Sequence, residues 1–215
     1  MIKTGIKELD SFWHKGLQGG GLIVLAARPL MGKTSFIMTL GKLISLNHKT
    51  LFLSIETSLK ILKAKGICDS MQVDDSWELN THLLMEKITK TKPEVVLIDY
   101  VQLFCGNLKS LIKELKNIAV DTNTCMIVTS QIRRELEYRP ISEKRPILSD
   151  LIGKGGVIFN PENLSNIDDL TFFYRDHYYN KSSQPPYVIE LIHYENDKKT
   201  DIVLNWNNIN EISGF

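Results

Sequence analysis

The sequence predicts an α/β fold, a mainly parallel sheet with helices on both faces, and three features of its 215 residues carry that prediction. Short apolar runs recur at 22–26, 50–55, 95–98 and 125–130, and each gives way to a polar residue, the first one after Ala27. The segments between them repeat their apolar residues at helical spacing, the alternation that crossover helices on a parallel sheet require. The last stretch departs from it. Residues 187–194 and 201–206 are strand-like runs around Asn196-Asp197-Lys198-Lys199, the pattern of a β-hairpin.

Taken in order, residues 5–17 form an expected helix that ends near Gly16, and Gly19-Gly20-Gly21 turns the chain into the first strand. That strand is wholly apolar, as suits a strand covered on both faces. The helix after it is broken at Asn47-His48, and residues 50–56 (TLFLSIE) read as the second strand. Two helical segments follow, the second over 77–90, before Pro93 opens the strand 95–99 (VVLID). Residues 108–120 are amphipathic and helical, and 125–131 (CMIVTSQ) form a fourth strand. From 133 to 166 the chain is polar and broken by prolines, so long loops are expected until 170–174 (LTFFY) restores a strand. With 43% hydrophobic residues the chain can bury one sizeable core, and a single domain over 1–215 is expected.

Between the first strand and its helix stands ARPLMGKT, residues 27–34. This meets G-x-x-x-x-G-K-[ST] except at Ala27, which occupies the first glycine position. Gly32 lets the backbone approach an oxygen-rich ligand, and the helix that starts there aims free amides and a positive dipole end at phosphates. Lys33 supplies a point charge for the β- and γ-phosphates, and the Thr34 hydroxyl is a ligand for Mg²⁺. Ala27, Arg28, Pro29, Met31, Gly32, Lys33, Thr34 and Ser35 are therefore the expected nucleotide contacts, with ATP and Mg²⁺ as the ligands. The competing reading is an ordinary strand-turn-helix that happens to carry Gly-Lys-Thr.

In an open parallel sheet ligands bind beyond the carboxyl ends of the strands. Asp99, after four apolar residues, suits a carboxylate that holds Mg²⁺ directly or through its water. Glu56 stands where a general base would deprotonate the attacking water, and Gln131 where an amide would contact the γ-phosphate. Each taken singly also reads as a solvated strand end.

Composition narrows the rest. Lys+Arg at 26 against Asp+Glu at 25 leaves a formal charge of +1, so any nucleic-acid contact must come from local patches. Cys68, Cys105 and Cys125 are scattered, without a disulfide framework, and no secretory leader or run of about 20 apolar residues is present, so a cytoplasmic location is expected. Arg133, Arg134, Arg139, Lys144 and Arg145 alternate with Glu135, Glu137 and Glu143, which fits a solvated loop as well as a DNA-facing one. Arg175 reads as a salt-bridged strand end in preference to a phosphate ligand, and Tyr174, Tyr178 and Tyr179 read as packing. The five histidines show no metal-ligand spacing with cysteines.

Residues 4–10, 16–18, 26–34, 54–56, 98–103, 130–131, 144–146, 149–151 and 174–176, in this order, resemble the C-terminal ATPase domain of the DnaB-type replicative helicases, a RecA-like P-loop NTPase fold. The resemblance implies an ATP-driven motor that tracks single-stranded DNA as a homo-oligomer such as a hexameric ring, with Lys33, Thr34, Glu56, Asp99 and Gln131 in the roles given above. It also implies that the family's N-terminal domain is absent. Where the family carries a lysine and an arginine that reach a neighbour's γ-phosphate, this chain has His193 and Glu195. Where the family's DNA-contacting loop has an arginine and a glutamate, Ser149-Asp150-Leu151 is followed by Ile152-Gly153-Lys154-Gly155-Gly156. Two function classes follow: a helicase-type ATPase, and a hydrolysis-impaired relative acting as a regulatory or assembly partner.

Overall fold

In the computed structural model, residues 1–66, 70–152, 161–182, 185, 187–195 and 198–207 are described. Of the residues singled out above, Cys68, Gly153, Lys154, Gly155, Gly156, Asn196 and Asp197 lie outside this set, as does the Glu195 side chain.

The apolar runs form strands β1 (Leu22–Ala27), β2 (Thr50–Ser54), β4 (Val95–Asp99), β5 (Cys125–Gln131) and β6 (Asp169–Tyr174), with β3 (Gln72–Asp74) at the edge. The hairpin is β7 (Val188–Glu195) and β8 (Lys198–Asn205). Among the described residues these form one sheet in the order β3-β2-β4-β5-β1-β6-β7-β8. The strands from β3 to β6 are parallel, and β7 and β8 are antiparallel. β3 escaped the sequence reading because three residues, two of them polar, make no periodic pattern.

Alternation along each strand sorts the core into two layers. Ile23, Leu25, Leu97 and Ile127 face one side, where α1 (Lys7–Phe12), α2 (Lys33–Ser45) and α3 (Leu59–Ala64) add Leu9, Phe36, Ile37, Leu40 and Leu62. Leu22, Val24, Val96, Ile98, Met126 and Val128 face the other. There α4 (Thr81–Thr91) and α5 (Leu108–Thr122) add Leu84, Ile88, Leu111, Ile112 and Leu115. Burial on both faces explains why the central strands carry almost no polar residue before their last position.

Helix ends follow local chemistry. Asn80 accepts a hydrogen bond from Leu83 N at 2.9 Å, so α4 starts at Thr81, four residues later than expected. The helix expected over 5–17 stops at Phe12. Trp13 turns its indole to donate to Thr171 Oγ1 at 2.9 Å, and Gly16 N donates to Asp169 Oδ2 at 2.5 Å. Two side-chain anchors on β6 thus replace further helical turns. The polar stretch after β5 folds as short 3-10 turns over Arg134–Tyr138, Ile141–Glu143, Leu148–Asp150 and Pro161–Asn166. A short helix, α6 (Asp176–Tyr179), follows β6.

Candidate nucleotide site

Parallel strands deliver their carboxyl ends to one edge of the sheet. Ala27 pairs with Gln131, and Ser54 pairs with Asp99. The period of two then decides which side chains look the same way. Asp99 continues the series Val95, Leu97, and Thr129 the series Cys125, Ile127, all toward the α2 layer. Over them lies the start of α2. Thr34 Oγ1 donates to Asp99 Oδ2 at 2.6 Å, and the Thr129 hydroxyl donates to Asp99 Oδ1. Asp99 is fully buried, its carboxylate held by two hydroxyls.

The loop that feeds α2 is shaped by its glycine. Gly32 caps the helix at φ +95°, a conformation that costs other residues strain. Two positions earlier Leu30 holds φ +68° with its side chain 80% exposed, so the loop bears strain with no packing return. Ala27 sits below the loop as the last residue of β1. Its carbonyl accepts from Ile132 N at 3.0 Å, and its side chain is buried in the core.

Lys33 is only 5% exposed, and among the described residues no carboxylate pairs with it. Its ammonium lies 5.3 Å from the centroid of the Tyr100 ring. A buried ammonium without an anionic partner is costly, and a phosphate group on the loop would relieve that cost. The donor set fits Mg²⁺ as well. A hydroxyl and one carboxylate suffice for an ion that completes its octahedron with phosphate oxygens and water. No cluster of three or more His, Cys, Asp or Glu side chains exists among the described residues to form an all-protein cage.

Tyr100 ties the strand ends together. Its pKa is raised by burial, then by the charges of Glu56 and Asp99, and it lines a cleft together with Gln131. The charges of Glu56 and Asp99 are therefore both felt at one phenol. Glu56 is exposed and enters no ion pair among the described residues. Neither Tyr100 nor Thr129 was assigned a role by the sequence, although both stand on strand ends beside the loop.

Arg175, expected to be a salt-bridged strand end, also reaches the loop between β1 and α2. Its Nη1 donates to Met31 O at 3.5 Å and lies 3.6 Å from where a Cβ on Gly32 would stand. It follows Phe173 on the α2 side of β6, which directs it to the loop. Together with Met31, Gly32, Ser35, Phe173 and Trp206 it lines a cavity of about 200 Å³.

Other expected contacts point elsewhere. The Arg28 side chain pairs with Glu137, lies 4.5 Å over the Tyr178 ring and donates from Nη1 to the Pro29 carbonyl at 3.0 Å. Tyr178 and Tyr179 thus pack against a cation and each other. The basic stretch after β5 is largely committed within the chain. Arg139 pairs with Asp150, Arg145 with Glu190 and Asp201, and the Lys144 ammonium donates to the carbonyls of Leu136 and Glu137. Arg134 is exposed. His193 is buried beside Phe12, Thr171 and Asp169, beneath α1, so this residue is not offered to a neighbouring subunit.

Comparison with known proteins agrees with this geometry. The family described as DnaB-like helicase C-terminal domain matches residues 1–92 and 70–208. A probable replicative DNA helicase of Trieres chinensis is 29% identical over 250 residues, covering 94% of this chain and 50% of its own length. The replicative DNA helicase DnaB of Geobacillus stearothermophilus is 27% identical, covering 89% of this chain and 51% of its own. The chain thus spans about half the length of the curated relatives it matches. Among solved structures, an isolated ATPase domain superposes with a TM-score of 0.80 at 23% identity, over 95% of this chain and 87% of that one. A DnaB-like replicative helicase studied with primase gives 0.78 at 22% identity, over 94% and 58%. Both likenesses show the RecA-like fold.

Proposed function

We propose that this chain, which belongs to the DnaB-like helicase C-terminal domain family, binds Mg²⁺-ATP on the loop from Ala27 to Ser35 and hydrolyses it as a motor on single-stranded DNA. The observation that carries this reading is the hydrogen bond from Thr34 to the buried Asp99 carboxylate, beside a buried Lys33 ammonium that lies over the Tyr100 ring and has no carboxylate partner among the described residues. Lys33 holds the β- and γ-phosphates, and Thr34 and Asp99 hold Mg²⁺. The ion, when bound, neutralises charge that develops on the phosphate oxygens. Glu56 orients the attacking water and takes its proton, while Gln131 contacts the γ-phosphate. The cavity beside Met31 and Trp206 receives the nucleoside.

A homo-oligomer, such as a ring, fits the family membership, and action on DNA in the cytoplasm fits the replicative helicases it matches. No helix among the described residues is long and apolar enough to cross a membrane. The hydrolysis-impaired alternative has less support, because nothing in Lys33, Thr34, Glu56 or Asp99 departs from what hydrolysis needs.

Steady-state ATPase measured with and without oligo(dT) tests the motor reading. Turnover that depends on Mg²⁺ and rises with the single strand is expected; ATP binding without turnover, whatever DNA is added, would favour the regulatory alternative. Trp206 tests the nucleoside seat. Its emission is expected to change on titration with Mg²⁺-ATP, and Trp206→Ala to weaken binding about tenfold, or about 1.4 kcal/mol. An unchanged dissociation constant in Trp206→Ala would place the nucleoside elsewhere.

A further inference from the structure

We propose that Gln102 is a positioning residue for hydrolysis: its carboxamide fixes the backbone at Gln131 and so sets where the Gln131 side chain stands against Asp99 and the phosphate loop. This rests on the reading of the site given above. The need for such a residue follows from strand lengths. The ladder between β4 and β5 closes at Ile98 and Val128, so Ser130 and Gln131 run on with a strand partner only on the β1 side.

On the open side the Gln102 side chain takes the place of the missing strand. Its Nε2 donates to Gln131 O at 2.8 Å and to Ser130 Oγ at 3.2 Å, and its Oε1 accepts from Gln131 N at 3.2 Å. A primary amide offers a donor and an acceptor side by side, as a peptide group does, so it continues the ladder by one rung. Without it the Gln131 N–H would lose this acceptor, and the Gln131 carbonyl would keep only the longer bond from Ser130 Oγ at 3.3 Å, at the point where β5 leaves the sheet.

The position of this rung gives it leverage. Gln131 is paired with Ala27 on one side and held by Gln102 on the other, and it shares a cleft with Tyr100, over whose ring the Lys33 ammonium lies. Beyond it the chain departs through Ile132, Arg133 and Arg134, which with Tyr100 and Gln102 line a cleft of about 550 Å³. Gln102 reaches the nucleotide only through Gln131. A displacement of about 1 Å in a group that contacts the reacting phosphate is enough to cost up to about 100-fold in rate.

Gln102→Met keeps the length of the side chain and removes all three hydrogen bonds, and Gln102→Leu serves as a second apolar variant if the first folds poorly. The expected result is a fall in kcat of about tenfold or more with KM for ATP held within about twofold. In a Gln131→Ala background the same change is expected to cost nothing further, which a merely structural role would not produce. Amide hydrogen exchange in the peptide spanning 129–135 is expected to quicken about tenfold or more. Equal losses of kcat in both backgrounds, or unaltered exchange at Gln131, would overturn the proposal. If the native protein binds Mg²⁺-ATP but never turns it over, the hydrolysis reading fails on its own. The exchange comparison, with and without a slowly hydrolysed ATP analogue, then decides whether Gln102 fixes Gln131.

Discussion

Lys33→Ala is expected to abolish Mg²⁺-ATP binding. The ammonium is buried at the start of α2 and has no carboxylate partner among the described residues, so its free energy in the protein depends on an anion arriving. Removing it takes away the charge nearest the β- and γ-phosphates and leaves the helix N-terminus and Arg175 to hold a polyanion. For the native chain, ligand at about 100-fold over its dissociation constant adds about 2.7 kcal/mol of stability. In a chain of this size that raises the melting temperature by roughly 5 to 10 °C. The variant should show no shift at the same concentration, while keeping a ligand-free melting temperature at or above that of the native protein. An equal shift in both proteins would remove the loop from the binding site.

The fold was legible because each central strand announces both its burial and its end. Val95-Val96-Leu97-Ile98-Asp99 is four residues of sheet core followed by one residue of site, and the two layers of the core follow from its period of two. The loop between β1 and α2 was legible for a similar reason, since Gly32-Lys33-Thr34 sits between an apolar strand and a helix. Roles that depend on tertiary register were not. Gln102 lies three residues past Asp99, and nothing local says that its amide reaches across to the backbone of Gln131. The reach of Arg175 to Met31 on the loop between β1 and α2 was not legible, because a sequence offers no account of the loop placed beside it. Trp206 follows the end of the hairpin, more than 170 residues from Gly32 in the chain, and meets it only because β6 lies beside β1 and β7 beside β6. The basic residues after β5 could not be sorted into paired and unpaired until Asp150, Glu190 and Asp201 were placed against them.

Glu56→Gln is expected to separate hydrolysis from binding. The Glu56 carboxylate projects from the end of β2, close enough to Tyr100 that its charge helps raise the phenol's pKa, and among the described residues it is tied up in no ion pair. It is thus the carboxylate left to act on water, since Asp99 is fully buried and already accepts from Thr34 and Thr129. Gln keeps the shape and can still orient a water molecule, but it cannot take the proton. A positioned general base contributes about 10²- to 10⁴-fold, so kcat should fall by that order. The Mg²⁺-ATP dissociation constant should stay within about threefold, because among the described residues Glu56 has no hydrogen bond or ion pair with the loop after β1, Thr34 or Asp99. Asp99→Asn supplies the contrast: it is expected to weaken the Mg²⁺ dependence of binding as well as the rate. If Glu56→Gln hydrolyses ATP at the native rate, proton transfer belongs to another group and the active-site assignment at β2 is wrong. If it loses binding and rate together, Glu56 acts on nucleotide affinity and its place as the base is lost.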